Sequence, residues 1–152
     1  MQARLTKLKR LAALYGVVER THSVELQRTA AAVREVEQAV ATQQSVARSA
    51  SFDSREALMT GDRLSWSLAK AQRETAEWRQ DRLEQIRLER QELNDAAKEQ
   101  YATSRVKSEQ MKSVVSGVTA KTEIDEGRRM QAATDDRFLS RRSWMGARQS
   151  SR

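Results

Sequence analysis

The chain has 152 residues with 28 Lys and Arg against 21 Asp and Glu, a formal net charge of +7, and its 38% hydrophobic and 5% aromatic content is too thin for a thick globular core. With no Pro, no Cys and only five Gly, it lacks the punctuation of turns and strands, and it has no disulfide framework, thiolate metal site or Cys nucleophile. Pro ends a helix interior and Gly costs roughly 1 kcal/mol there, so this composition is permissive for helix along most of the chain.

The first twenty residues spread five basic side chains through short apolar groups, with no apolar core of a signal peptide. Nowhere does a run of ~18 apolar residues occur that could span a bilayer, so a cytoplasmic protein is expected. From Leu8 a series at 3-4 spacing reads Leu8, Leu11, Tyr15, Val18, His22, Leu26, Thr29, Val33, Val36, Val40, Gln43 and Ala47. This is the narrow stripe of a coiled-coil helix, reaching about 60 Å at ~1.5 Å per residue and needing a partner helix to cover it.

The rhythm loosens at Ser49, Ala50, Ser51, Phe52, Asp53 and Ser54, and again at Gly61. Asp53 with Glu56 has capping-box character, and Thr60-Gly61-Asp62 offers a stop and restart, so the chain is expected to reverse between 49 and 63. A second helical segment follows, with an early stripe of Leu64, Leu68, Ala71, Thr75 and Trp78. A later stripe reads Leu83, Ile86, Arg90, Leu93, Ala97, Gln100, Ser104, Lys107, Met111, Val114 and Val118. Charge pairs three or four apart, such as Arg73 with Glu77 and Arg105 with Glu109, mark its solvated face.

The expected fold class is therefore all-α: a long antiparallel two-helix coiled-coil hairpin with a longer second helix and a frayed basic C-terminal tail. The hairpin is one domain over 1–140, with helix 1 about 2–48, the tip 49–63 and helix 2 about 64–139, and a disordered basic tail covers 141–152. A tip centred near 57 would place Val36 opposite Trp78 and leave residues 113 to about 140 projecting past the first helix. That overhang, with Met111 at its edge and Val114, Val115, Val118 and Ile124 within it, would then need cover from another protein.

Charge is concentrated at the two termini. Residues 1–20 hold five basic and one acidic residue, a balance of +4; residues 128–152 hold seven Arg against Asp135 and Asp136, a balance of +5; the 16 basic and 18 acidic residues between them give −2. A hairpin would gather both basic ends, which points to an acidic or polyanionic partner there.

Chemistry-bearing residues are few. His22, the only His, falls in the seam without the converging His, Cys or carboxylate spacing of a metal or general-base site. Without a Gly-rich phosphate loop or a pocket for a Ser triad, the chain reads as a non-enzyme with no cofactor and no small-molecule substrate. The Arg-rich ends resemble a phosphate footprint, yet no nucleic-acid-binding motif accompanies them. The Leu and Lys of the N-terminal helix weigh less for a membrane surface than for a partner protein. Trp78 reads as seam, whereas Trp66 lies off the Leu64/Leu68 stripe and is either an interface anchor or a residue folded over the turn beside Phe52 or Met59.

The basic Leu-rich start (Leu5-Thr-Lys-Leu-Lys-Arg-Leu-Ala-Ala-Leu14), the diluted coiled-coil helix (Val33-Arg-Glu-Val-Glu-Gln-Ala-Val40), the short tip and the longer charged second helix resemble the FliJ/YscO family of flagellar and injectisome type III export stalk proteins. The resemblance covers the whole chain through its architecture and N-terminal pattern. It implies an antiparallel two-helix coiled coil like the rotor subunit of F-type ATPases, whose terminal end enters the central hole of a hexameric export ATPase and which also contacts the export gate. On that footing the ATPase would be met by Lys7, Lys9, Arg10, Met111, Val114, Val118, Arg128, Arg129 and Arg137, and the gate by Phe52, Met59, Leu64 and Trp66. The protein would be cytoplasmic, peripheral to the inner membrane through the export apparatus alone. The second reading is a generic structural or chaperone-like coiled coil that self-associates.

Overall fold

A computed structural model describes residues 2–149. They form two helices, α1 (Gln2–Thr60) and α2 (Arg63–Gln149), of 59 and 87 residues, with no strand among the described residues. The fold is an all-α two-helix hairpin in which α2 is the longer helix. Residues 1–17 with 105–152 make one compact unit, the terminal unit, and residues 18–104 make a second, the hairpin unit.

The reversal is far shorter than 49–63. Only Gly61 and Asp62 lie between the helices. Gly61 has φ 74°, a left-handed conformation that an L side chain resists, and its N–H donates to Leu58 O at 3.4 Å while Asp62 N–H donates to Ala57 O at 3.0 Å. This pair of bonds is a Schellman stop, closing the last carbonyls of α1. Asp62 then caps α2: its carboxylate accepts from the backbone N–H groups of Leu64 and Ser65 at 3.1 Å each and from the Ser65 hydroxyl at 2.6 Å. Asp53 is not used as a cap. The Ser-rich stretch before it remains helical because Ala50, Ser54 and Ala57 carry the 3-4 spacing onward and the Ser51 hydroxyl returns to Ala47 O at 2.8 Å, within the helix.

In the hairpin unit the helices run antiparallel, and the Thr29 hydroxyl bonding Asn94 Oδ1 at 3.2 Å sets their register. Arg90 confirms it, donating through Nη1 to Ala32 O at 3.0 Å and to Glu35 Oε2 at 3.3 Å. Carried along both helices, this register puts Val36 opposite Arg87, Val40 opposite Leu83, Ala50 opposite Arg73 and Ala57 opposite Trp66. The expected pairing of Val36 with Trp78 is therefore wrong by about nine residues, because the reversal lies at 61–62 and not at 57.

The α1 seam from Leu26 to Ala47 is as read from the sequence, with Val33, Val36 and Val40 buried, and it continues through Ala50 and Ala57. Nearer the N-terminus, Leu11 and Val18 are exposed, and Ala12 and Glu19 take the seam positions. On α2 the covered positions are Trp66, Ala69, Arg73, Ala76, Gln80, Leu83, Arg87, Arg90, Asn94, Ala97, Tyr101 and Ser104, at unbroken 3-4 spacing. The expected early stripe is turned outward: Leu64 is 81% exposed, Leu68 61% and Trp78 66%. In the later stripe Leu83, Ile86, Arg90, Ala97 and Ser104 are covered, Ile86 together with Arg87, but Leu93 and Gln100 are exposed and yield to Asn94 and Tyr101. An unbroken heptad counted back from Leu83 reaches Trp66, whereas seating Leu64 to Trp78 first would require a phase slip that locally unwinds the pair.

The terminal unit holds the same kind of seam. Leu5, Leu8, Ala12 and Tyr15 of α1 are half-buried, as are Met111, Val115, Val118, Thr122 and Asp125 of α2, and Ser108 is fully buried. Arg4 lines a groove with Val118, Lys121 and Thr122. The region from Met111 to Val118 is thus paired, not projecting, because the longer reversal-to-terminus span of α1 reaches it. From Glu126 to Met145 every α2 residue is exposed. The helix also passes through the expected tail as far as Gln149, since nothing after Leu139 but Gly146 disfavours it; residues 150–152 of that tail lie outside the described residues.

Two outcomes follow from this seam and cap. Val36→Asp, placing an unpaired charge at a site only 4% exposed, destabilises by about 3 kcal/mol or more, whereas Leu93→Asp leaves stability within about 0.5 kcal/mol, both read by urea melts. Asp62 is held below its usual carboxylate pKa by the Ser65 hydroxyl and then by the Ser65 and Leu64 backbone N–H groups. Its capping contribution is therefore present above its unfolded pKa near 3.8 and lost as pH falls through the lower folded value. Asp62→Asn, which cannot titrate, should flatten the acid limb of the melting-temperature profile, checked by thermal melts between pH 2 and pH 7.

Candidate functional site

All nine residues expected at the ATPase contact fall in the terminal unit, but not at one place: Lys7, Lys9 and Arg10 of α1 and Met111, Val114 and Val118 of α2 belong to its paired part, whereas Arg128, Arg129 and Arg137 lie on the stretch of α2 beyond Asp125 that α1 does not cover. The terminal unit holds fifteen Lys and Arg against six Asp and Glu, a balance of +9, while the hairpin unit holds thirteen against fifteen, a balance of −2. The excess positive charge is thus confined to one unit. Lys7, Lys9, Arg10, Arg128, Arg129 and Arg137 are all exposed, and none forms an ion pair with another described residue. Unneutralised side chains of this kind project a positive field and speed encounter with an acidic surface. Of the apolar members, Met111 and Val118 are half-buried in the seam and only Val114 is exposed. Met130, Phe138, Leu139, Trp144 and Met145 add exposed apolar surface on the uncovered part of α2. The sequence reading does not single them out: of the overhang it expects over 113 to about 140 it names only Val114 to Ile124 as apolar surface, and it leaves Trp144 and Met145 in a disordered tail.

The hairpin unit instead neutralises its charges locally. Arg87 meets Glu84 at 2.7 Å and its pKa is raised by that bond; Asp95 accepts from Lys98 at 3.0 Å and also from Gln91, and its pKa is lowered mainly by Lys98. Such exposed pairs trim solvent-facing charge and contribute little stability.

At the reversal, Phe52, Met59 and Leu64 are exposed, as a contact surface requires, with Met59 91% accessible. Trp66 is different: it is a half-buried seam residue opposite Ala57, with the Lys70 ammonium 5.4 Å from its ring centroid. It forms a wall of a groove of about 540 Å³ that Ala57, Leu58, Gly61, Asp62, Arg63 and Ser67 complete. The assignments of the two tryptophans are reversed relative to the sequence reading: Trp66 is in the seam and Trp78 is out. Counting the heptad back from Leu83 through the two-residue turn is the signal that would have found this.

His22 is half-buried in the α1 seam, and its Nδ1 has no hydrogen-bond partner among the described residues. Among those residues no cluster of His, Asp and Glu gathers in the number a metal ion needs, and no helix is long and apolar enough to cross a membrane. No protein-family model, no curated protein and no solved structure matches the chain.

Proposed function

We propose that the protein is a non-enzymatic stalk of a type III export apparatus, coupling a hexameric export ATPase to the export gate. The observation that carries the reading is the confinement of charge: the terminal unit has a balance of +9, with Lys7, Lys9, Arg10, Arg128, Arg129 and Arg137 exposed and in no ion pair with another described residue, and the hairpin unit a balance of −2. A stalk that enters a ring needs steering toward an acidic lining and an apolar anchor to hold it there. The terminal unit supplies the first through Lys7, Lys9, Arg10, Arg128, Arg129 and Arg137, and the second through Val114 and the uncovered α2 residues beyond Asp125. Phe52, Met59 and Leu64, with Trp66 in the groove behind them, are the surface offered to the gate. In this role the protein works on the cytoplasmic side, reaching the inner membrane only through the apparatus.

The resemblance of the Leu5–Leu14 and Val33–Val40 segments to the FliJ/YscO family supports the same reading. ATP turnover by the purified hexamer, measured with and without the protein, tests it. Stimulation is expected, and Arg128→Glu with Arg129→Glu should slow association by tenfold or more at low salt and flatten its salt dependence while helicity is unchanged. An unchanged turnover rate with no binding at low salt would overturn the reading.

A further inference from the structure

On α2 the residues Leu64, Leu68, Ala71, Thr75 and Trp78 follow one another at 4-3-4-3 spacing and are all exposed, on the face opposite the seam that meets α1. A stripe with that spacing is itself a coiled-coil seam, two heptads long and lacking its partner. We propose that a second copy of this chain covers it, with the two α2 helices packed in parallel about a two-fold axis.

The stripe's flanking charges argue for a second copy. In a parallel coil a residue just before one core position meets, on the other helix, the residue five further along. Glu74 and Arg79 stand in that relation, so the two-fold brings Glu74 of each copy to Arg79 of the other, twice. Arg79 forms no ion pair among the described residues, and Glu74 has only a loose 3.9 Å contact with Lys70. In an antiparallel arrangement centred on Ala71, Glu74 would meet Ser67 and Arg79 would meet Ser65, and no ion pair would form. Like residues share each layer of the parallel pair, Leu64 with Leu64 and Trp78 with Trp78, and the small Ala71 allows close approach between them. No like charges face each other across this seam.

Two heptads bury an area at the low end of specific interfaces, so the dimer is a weak one, dissociating in the micromolar range. It uses no residue of the terminal unit, and Leu64 is the one residue it shares with the surface offered to the gate.

Sedimentation of the full chain at low salt, from micromolar to several hundred micromolar, is the test. A monomer–dimer equilibrium is expected, and Trp78→Glu should weaken it at least tenfold with unchanged helicity and unchanged effect on ATPase turnover. Arg79→Glu should weaken it several-fold, and the swapped pair Glu74→Arg with Arg79→Glu should restore it. Because the chain has no native Cys, Leu64→Cys reports direction: oxidation should cross-link a parallel dimer, whereas the two sulfurs would lie about 20 Å apart in the antiparallel one. A monomer at every concentration, or a dimer indifferent to Trp78→Glu, would overturn the proposal. A dimer with neither rescue by the swap nor the Leu64→Cys cross-link would overturn its parallel arrangement.

Discussion

A reversal of two residues, Gly61 and Asp62, sets the phase of everything that pairs around it. Gly61 at φ 74° ends α1 and the Asp62 carboxylate begins α2, so Ala57 and Trp66 become the first facing pair. From there a 3-4 repeat runs without a stutter along each helix. Since a paired helix keeps its seam inward only while that repeat is unbroken, each later position inherits its burial from the turn.

Obeying one register has a cost in the quality of what is buried. The hairpin unit's core holds Val33, Val36 and Val40 but otherwise Ala50, Ala57, Ala69, Ala76 and Ala97, with Asn94 and Ser104 among its buried polar residues. A buried methyl group contributes about 0.8 kcal/mol and a full Val or Leu side chain about 1.5–3, so this seam gains far less than one built of Leu. Polar layers make up for specificity what they lack in burial. The Thr29–Asn94 bond and the Arg90 bonds to Ala32 O and Glu35 are satisfied only when the helices are in step. The large apolar side chains left outside, among them Leu64, Leu68 and Trp78, are surface available for other chains.

Charge divides along the same lines as structure. Within the hairpin unit, pairs such as Arg73 with Glu77 and Arg90 with Glu35, at 3.3 Å each, nearly cancel. In the terminal unit Arg105 pairs with Glu109 at 3.2 Å, while Lys7, Lys9, Arg10, Arg128, Arg129 and Arg137 form no ion pair with another described residue. A surface of that kind works through long-range attraction, which sets how fast a partner is found, while exposed apolar residues determine how long it is held. The proposed stalk role draws on this division of labour.

From its residues alone the chain could be read as two long helices with a reversal, a Val-rich seam at 33 to 40 and basic ends, because these follow from local properties: absence of Pro, spacing of apolar residues and the count of charges. The phase of α2 could not. Its sequence offers two stripes, Leu64 to Trp78 and the one through Leu83, and hydrophobicity favours burying the first. Only pairing with α1 decides between them, since a single helix has no preference for which face is inward, and the two-residue turn together with the Thr29–Asn94 contact turns Trp66 in and Trp78 out. The same shift of register covers Met111 and Val118 with the start of α1 and leaves α2 bare only beyond Asp125, an outcome that depends on where the chain reverses and on nothing local to those residues.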